Sequence, residues 1–468
     1  MKISTLALVL FASGLHAETL TLESYLGQVR QDNPQLRGLR AQDTAYTLAA
    51  KEPLTAYSPQ FKADAQVYDD KLEPTLAAFS PQRTRANGWD LGLSKLFSTG
   101  TYVGVDYKGD VSELTFPAGS PIGALPETTG HQFGVTLSQS LWRNFNGSQT
   151  EAGILQAKAG ADAARAGNRY GAQAVLFQAR SAYVQLETVR QVRALQEESL
   201  TRNAKILEWT KQKQADNLAD KVDVLQVEAA VRLVALGLAT SKQSEAEAAA
   251  RFNSLRGVDP GAPVGDLEPL SLPNALPASK GDRADIEAAR QALKASDAQA
   301  ETIVQRYTPD ISVFASLSAN ERDTDGSKAF GDLTKGEHPQ SVVGIKLTAN
   351  LDRGLLNEVL SGADQAKGAG QAQIEDKKQA LAQDWKQLQA QWEGLQARLT
   401  LAQELEKLQG EKADREKSRY RDGRTTNFQV LRFEDDYSLA RIQILQLLAN
   451  ARVLEAQARF YNGDDQPW

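Results

Sequence analysis

The amino-acid sequence repeats itself. Three blocks of the first half recur in the same order in the second half and span nearly the whole chain. Because an internal repeat marks a structural unit that is present twice, we predict two copies of one arrangement of helices and strands. The matched positions are Leu36, Arg40, Tyr57 and Pro59 with Ile286, Arg290, Tyr307 and Pro309; Gly134, Leu137, Leu141 and Arg143 with Gly344, Leu347, Leu351 and Arg353; and Val224, Leu225, Glu228 and Gly257 with Val430, Leu431, Glu434 and Gly463.

The two copies differ in length. The first carries 40 more residues than the second between Pro59 and Gly134. A segment with several prolines separates the copies and has the composition of a linker. We expect a first repeat at 18–257, a linker at 258–281 and a second repeat at 282–468.

Apolar and polar residues alternate in parts of each repeat. A period of two predicts β-strands with one apolar and one polar face. Strands of about 9–11 residues with this pattern cross a bilayer with their apolar side chains toward lipid. A small soluble sandwich has the same alternation, so the strands alone leave both open. The clearest run is Val343, Ile345, Leu347, Ala349 and Leu351 against Gly344, Lys346, Thr348 and Asn350.

Two long segments, 147–214 and 354–418, contain no proline and are rich in Ala, Gln, Glu, Lys, Arg and Leu. Each predicts a helix of about 100 Å at 1.5 Å per residue. No compact domain accommodates such helices, so we expect them to pack as coiled hairpins within an oligomer. The elements expected in the first repeat are a helical region at 20–51, β segments within 59–142 with an extra hairpin at 89–107, the long helix 147–214 and a return helix at 219–256. Those of the second are a helix at 282–305, β segments at 309–351, the long helix 354–418 and a return helix at 425–460.

The first residues predict the compartment. Lys2 precedes an apolar stretch, and Ala17 is a small residue at a plausible cleavage point, which predicts a secretory signal peptide over 1–17. After residue 17 there is no run of 18 apolar residues. An exported chain of this kind that crosses a membrane is therefore expected to do so with strands.

Composition argues against several functions. Lys and Arg number 53 against 59 Asp and Glu, a formal net charge of -6, so no basic surface for nucleic acid is expected. The absence of Cys excludes disulfides, thiolate metal sites, a catalytic thiol and a lipid anchor on Cys. His16, His131 and His338 lie far apart in the sequence, and no acid, base and nucleophile have credible spacing. We expect no enzyme activity, no cofactor and no metal site.

Several short motifs accompany the repeated elements. They are Leu20-Thr-Leu-Glu-Ser-Tyr25, Asn33-Pro-Gln-Leu36, Thr136-Leu-Ser-Gln-Ser-Leu-Trp-Arg143 and Asp223-Val-Leu-Gln-Val-Glu-Ala229 in the first repeat, and Tyr307-Thr-Pro-Asp310, Leu351-Asp-Arg-Gly354 and Tyr420-Arg-Asp-Gly423 in the second. In this doubled order the chain resembles the outer-membrane efflux protein family, which is TolC-like.

The resemblance implies a mainly α fold with a transmembrane β-barrel section. In the family, a homotrimer forms a β-barrel in the outer membrane, with four strands per protomer, and an α-helical barrel across the periplasm. The implied contacts are outer-membrane lipid, a periplasmic adaptor (membrane fusion protein) and an inner-membrane transporter. The hairpin at 89–107 is additional, and the sequence leaves open whether it widens the barrel, caps it or lies elsewhere.

The resemblance also implies a gate where the long helices turn back. In the family, a Tyr near the second turn bonds to an Asp near the first and holds the tips together. Tyr420 and Asp223 match these residues. The accompanying Arg of the family falls at Thr425 here, and Arg424 lies beside it.

Two aspartates of the best-known members form a cation-selective ring, and these positions are Gln429 and Arg432 here. A ring of Arg432 side chains favours anions, as charged rings do in pores. Asp435 and Asp436 lie one turn further on and would restore acidity. The ion selectivity of the entrance therefore stays open.

The resemblance implies the exit duct of a tripartite efflux system that conducts substrates passively. Drugs, metal ions and polypeptides remain possible cargo, so the outer-membrane component of type I protein secretion is an alternative. From a different class, a periplasmic coiled-coil adaptor or scaffold has the same helices and strands.

Overall fold

The computed structural model describes residues 19–71, 73 and 79–468. The expected signal peptide, 1–17, lies outside the described residues. The elements in chain order are α1 (Leu22–Asp32), α2 (Pro34–Ala49), β1 (Gln60–Asp70), β2 (Arg83–Leu96), β3 (Thr101–Thr115), β4 (Thr128–Ser140), α3 (Ser148–Ala215), α4 (Lys221–Leu255), α5 (Ala284–Tyr307), β5 (Asp310–Asp323), α6 (Gly326–Leu333), β6 (Pro339–Thr348), α7 (Arg353–Arg421) and α8 (Asn427–Asn462).

The chain divides into two compact units, and each takes segments from both sequence repeats. The helical unit comprises the described residues up to Thr44 together with Arg165–Ala288 and Ile374–Trp468. The sheet unit comprises the described parts of Ala45–Ala164 together with Ala289–Gln373. Each compact unit thus combines equivalent segments of the two copies, and neither copy forms a unit by itself.

The long helices α3 and α7 have 68 and 69 residues and occupy the segments expected at 147–214 and 354–418. Neither contains proline, which would remove a backbone hydrogen bond and clash with the preceding turn. The helical region expected at 20–51 is two helices, α1 and α2, because Asn33 ends the first in an extended conformation and Pro34 begins the second.

The core of the helical unit preserves the repeat. Leu36 and its counterpart Ile286 are both fully buried, Leu36 in a cluster with Tyr25 and Phe252, and Ile286 in a second cluster with Trp385. The rings of Tyr25 and Phe252 stack at 3.9 Å between centroids. Burying one such aliphatic side chain stabilises a fold by roughly 1.5–3 kcal/mol.

The sheet unit contains an antiparallel sheet of six strands in the order β1-β2-β3-β4-β5-β6. The family resemblance implied four strands. The difference arises because the segment expected as an extra hairpin, 89–107, covers the end of β2, the turn after it and the start of β3, and these two strands insert between β1 and β4.

The two faces of this sheet differ in chemistry. One face exposes Phe61, Val67, Leu91, Leu93, Phe133, Val135, Leu137, Leu317, Val343, Ile345 and Leu347, and Val67 is 84% and Leu347 66% exposed. The register places polar residues on the opposite face, among them Lys62, Asp64, Asp90, Asp106, Lys108, Asp110, Gln132, Asn320, Arg322 and Lys346. Helix α6 covers the apolar face near Tyr107 and His131, and most of the remaining apolar face stays exposed within the described chain.

The histidines of the sheet unit have protein partners. His131 Nδ1 lies 2.8 Å from the Tyr107 hydroxyl, and His338 Nδ1 lies 2.7 Å from Glu321. Asp325 is the N-cap of α6, and its side chain accepts a hydrogen bond from the Ser327 amide. Within the described ranges, no group of three or more His, Cys, Asp or Glu side chains is placed to hold a metal ion.

No helix among the described residues is both long and apolar enough to span a membrane.

Candidate functional site

Both long helices end in a turn of the same construction. Turn 1 (216–220) joins α3 to α4, and turn 2 (422–426) joins α7 to α8. At turn 1 the Leu218 amide donates to the Lys213 carbonyl at 2.7 Å. At turn 2 the Arg424 amide donates to the Arg419 carbonyl at 2.8 Å. These bonds satisfy carbonyls that the end of a helix leaves free.

The left-handed residue in each turn follows the sequence repeat. Asn217 has φ 61° and Gly423 has φ 74°. Asn and Gly are the residues that tolerate this conformation best. Asp220 and Thr426 then cap the returning helices α4 and α8. The repeat therefore extends through both turns, although the matched sequence blocks lie only before and after them.

Tyr420 is buried at the base of turn 2, with 3% of its surface exposed. Its hydroxyl lies 2.6 Å from Oγ1 of Thr210 on α3, and the Thr210 hydroxyl also lies within hydrogen-bond distance of the Ile206 carbonyl. Burial raises the pKa of Tyr420, and the charge of Asp223 raises it further, although the hydrogen bond with Thr210 opposes this. The ring packs with Ile206, Val227 and Val430. Tyr420 thus joins the hairpin α7–α8 to the hairpin α3–α4.

Asp223 lies beside Tyr420 but has another partner. Its Oδ2 accepts the backbone N–H of Asp220 at 3.0 Å, and the Asp220 side chain accepts in return from the backbone of Asp223. This reciprocal pair is a capping box, which fixes the start of α4. The carbonyl of Asp223 accepts from the Asn427 side chain at 3.1 Å and so links α4 to α8. The structure therefore places Asp223 beside Tyr420, but the side chain that pairs with the Tyr420 hydroxyl is Thr210.

The other three predicted gate residues, Arg424, Gln429 and Arg432, are exposed. Gln429 Oε1 accepts from the Thr425 hydroxyl. Asp436, a possible partner for Arg432, lies 3.6 Å from Lys412. Among the ion pairs found in the described part of the chain, none includes Arg432.

A buried carboxylate is the strongest link that sequence reasoning missed. Glu434 on α8 is fully buried, and its Oε2 accepts from Nε of Arg202 on α3 at 2.7 Å. The ammonium of Lys417 on α7 contacts its other oxygen. Arg202 also donates to Ser438 at 3.0 Å. One carboxylate thus joins three helices.

The repeat gave a partial signal for Glu434, because Glu228 is its counterpart. Glu228 is only partly buried, and nothing in the sequence distinguishes the two. Lys213 was also missed: its ammonium contacts the Tyr420 carbonyl and lies 3.8 Å from the centre of the Tyr420 ring. Burial lowers the pKa of Lys213.

A pocket of about 400 Å³ lies between the two turns. Asp223, Tyr420, Lys213 and Asn427 contribute to its wall. Each of these side chains is engaged in a contact between or within the hairpins, which is an arrangement for fastening helices together. The residues that line this pocket include no pair of nucleophile and general base of the kind that catalysis requires.

The comparison with known families agrees with the motifs. Residues 276–463 match the family model described as outer membrane efflux protein. This range comprises most of the second repeat and the end of the linker, and in it the resemblance inferred from the sequence is confirmed. No curated protein matches the chain.

Solved structures of outer-membrane channels share the fold. The outer-membrane channel OprN matches with a TM-score of 0.70 at 18% identity, over 94% of this chain and 89% of that chain. CusC matches with a TM-score of 0.71 at 13% identity, over 94% and 91% of the two chains. The outer membrane protein VceC of Vibrio cholerae matches with a TM-score of 0.71 at 16% identity, over 94% and 96%.

Proposed function

We propose that this protein is the outer-membrane exit duct of a tripartite efflux system. The observation that carries the proposal is the two-faced sheet, with exposed apolar side chains on one face and charged and polar ones on the other. A transmembrane barrel needs this combination, because one face contacts lipid and the other contacts water. A passive duct requires a closed wall and a gate, and it requires no catalytic group.

We propose further that the working form is a homotrimer. Leucines that are exposed in the single chain lie along α4, where Leu225, Leu233 and Leu236 are 54%, 70% and 65% exposed. Leu401 and Leu408 on α7 are 64% and 63% exposed. Apolar stripes of this spacing on long helices are typical of surfaces that pack against other helices. Neighbouring copies would cover them and form the wall of a periplasmic helical barrel.

The gate in this proposal is the pair of turns. Asp223, Tyr420, Arg424, Gln429 and Arg432 would line the periplasmic entrance, and the contacts of Tyr420 and Glu434 would hold the hairpins closed. A periplasmic adaptor and an inner-membrane transporter would deliver the substrate. Opening then requires that α7 and α8 separate from α3, which breaks the Tyr420–Thr210 and Glu434–Arg202 contacts.

Membrane fractionation followed by conductance measurement tests the function. We expect the protein in the outer-membrane fraction, extractable only with detergent, and we expect the purified oligomer to form discrete conductance steps in planar bilayers. A protein that stays in the soluble fraction and forms no pores would instead be an adaptor or scaffold, and that outcome rejects the duct.

A further inference from the structure

The β2–β3 hairpin has the same two faces as the rest of the sheet. On β2, Leu91 and Leu93 point to the apolar face and Asp90 to the polar face. On β3, Val105 pairs with Leu93 and Lys108 pairs with Asp90. A hairpin that capped the sheet or lay outside it would have no reason to keep this alternation in register with β1 and β4.

Side chains on the polar face fasten the hairpin to the strands beyond it. Arg322 on β5 reaches across β4 to Asp110 on β3, with Nη2 2.7 Å from Oδ1. The crossing depends on Gly130 of β4, since a Cβ there would lie 2.6 Å from both the Arg322 Nη2 and the Asp110 Oδ1. On the other side, the Lys62 ammonium of β1 lies 3.7 Å from Asp90 of β2.

Side chains on the apolar face also fasten the hairpin. The Trp89 ring of β2 lies over Gly109 of β3, where a Cβ would come within 2.2 Å of the ring. The Tyr107 hydroxyl of β3 pairs with His131 of β4 at 2.8 Å. Contacts on both faces make β2 and β3 an integral part of the sheet.

Both outer strands of the sheet have an open edge. Within the described residues, β1 pairs only with β2, and β6 pairs only with β5. β1 is 11 and β6 is 10 residues long, and both carry exposed apolar residues on the same face, such as Phe61 (72%) and Ile345 (74%). Long apolar edges of this kind pair with another chain unless they are covered.

The strand count decides how two copies would join. Six strands in a meander leave β1 and β6 antiparallel to each other. The β6 edge of one copy therefore meets the β1 edge of the next in the same antiparallel sense as every other pair in the sheet. Apolar faces then stay outside and polar faces inside across the junction, provided that facing residues share a face.

We infer that the hairpin widens the wall: β6 of each copy pairs with β1 of a second copy of this chain, and the closed wall has six strands per copy. This rests on the proposed function, and in a homotrimer it gives a barrel of eighteen strands instead of the twelve that four strands per protomer would make. Barrel diameter grows roughly linearly with strand number, so the barrel itself is about 1.5 times wider.

Cysteine cross-linking tests the wall, because the chain has no Cys of its own. Val105→Cys with Val135→Cys, a facing pair on β3 and β4, is expected to form a disulfide within one chain. Ala63→Cys with Val135→Cys is expected to form none, since three strand spacings of about 4.8 Å separate β1 from β4, and a disulfide needs Cα atoms within about 7 Å. If the hairpin lay outside the wall, β1 and β4 would be neighbours, and Ala63→Cys would link with the residue that faces it among Phe133→Cys, Val135→Cys and Leu137→Cys, which are combined with it in turn.

The junction between copies is tested by Ala63→Cys or Ala65→Cys combined with Val343→Cys or Ile345→Cys. We expect at least one of these four pairs to link chains into dimers and trimers on a non-reducing gel. Val105→Cys with Ile345→Cys is the matched control and is expected to link no chains, because β3 lies inside the sheet. Each single-Cys variant is first checked for assembly in outer membranes.

The outcomes separate the two proposals. In a trimer that conducts ions, a β1–β4 disulfide, or the absence of every β1–β6 link between chains, overturns the wide wall and leaves the duct intact. A protein that is never found in the membrane and forms no pores rejects the proposed function, whatever disulfides form within its sheet.

Discussion

The Tyr420 hydroxyl lies 2.6 Å from Oγ1 of Thr210, so the last turn of α7 is bonded to α3 close to the point where each long helix reverses direction. Both residues are buried, Thr210 completely. A hydrogen bond of this kind stabilises a fold by about 0.5–1.5 kcal/mol, and separating the two hairpins would leave the buried Tyr420 hydroxyl without Thr210 as its partner. This pair is therefore suited to hold two hairpins in a fixed position.

Tyr420→Phe keeps the ring and removes only the hydroxyl. We expect the free energy of unfolding of the helical unit to fall by about 0.5–1.5 kcal/mol, and the conductance of the purified oligomer in planar bilayers to rise, because the two hairpins separate more easily. Tyr46→Phe, at a residue of α2 that is 38% exposed, is the matched control and should change neither quantity.

Combining Tyr420→Phe with Asp223→Ala also removes the capping box of α4. The double variant should conduct more than Tyr420→Phe alone, since the start of α4 loses its fixed position. Equal conductance in the wild type and the double variant would mean that these two residues do not hold the gate.

Glu434→Gln removes the charge that Arg202 and Lys417 share. Removing one partner of a buried ion pair costs about 3 kcal/mol or more, so the midpoint of chemical denaturation should fall clearly. Conductance should rise as well, because the carboxylate joins α8 to α3 and α7. Glu404→Gln, an exposed glutamate on α7, should leave both unchanged. A loss below about 0.5 kcal/mol, the size usual for surface changes, would contradict the role of Glu434.

Arg432→Asp tests the charge at the proposed entrance. Arg432 is exposed on α8, and a ring of such side chains would favour anions. We expect the reversal potential in a salt gradient to shift toward cation selectivity, and Arg432→Gln to give a shift of about half the size, since it changes the charge by one unit instead of two. An unchanged potential in both variants would show that Arg432 does not face the lumen.

Acid should weaken the start of α5 through Asp285. Burial opposes ionisation of Asp285, but hydrogen bonds from Arg283 at 2.7 Å and Lys377 at 3.0 Å outweigh it, so the pKa of Asp285 lies below its usual range. A carboxyl with a lowered folded pKa contributes stability above its unfolded pKa, and this is lost as pH falls through about 4 and below.

Asp285→Asn should therefore be less stable than the wild type near neutral pH, with the difference shrinking as the pH falls below about 4. Unfolding followed by circular dichroism at several pH values measures this. Asp376→Asn, an exposed carboxyl on α7, is the control and should parallel the wild type throughout. A constant difference between Asp285→Asn and the wild type would assign the effect to packing.

Periodicity and proline placement were sufficient to predict the main elements. The period of two in 343–351 lies largely within β6, and proline-free runs correspond to α3 and α7. These features are local: they depend on which residues a helix or strand tolerates and on which face they occupy. The number of strands in the sheet does not follow from such local features, since the sequence does not show which strands the segment 89–107 pairs with.

The sequence by itself determined the repeat, the elements and the two faces of each strand, because spacing along the chain fixes the side on which a residue projects. Only the tertiary structure decided which partners those residues meet. In it the Tyr420 hydroxyl pairs with Thr210, and Glu434 is buried while its counterpart Glu228 is partly exposed. The strands β2 and β3 lie between β1 and β4. Each of these depends on contacts between residues far apart in the chain, and the energies of such contacts are set by burial and geometry that no local pattern contains.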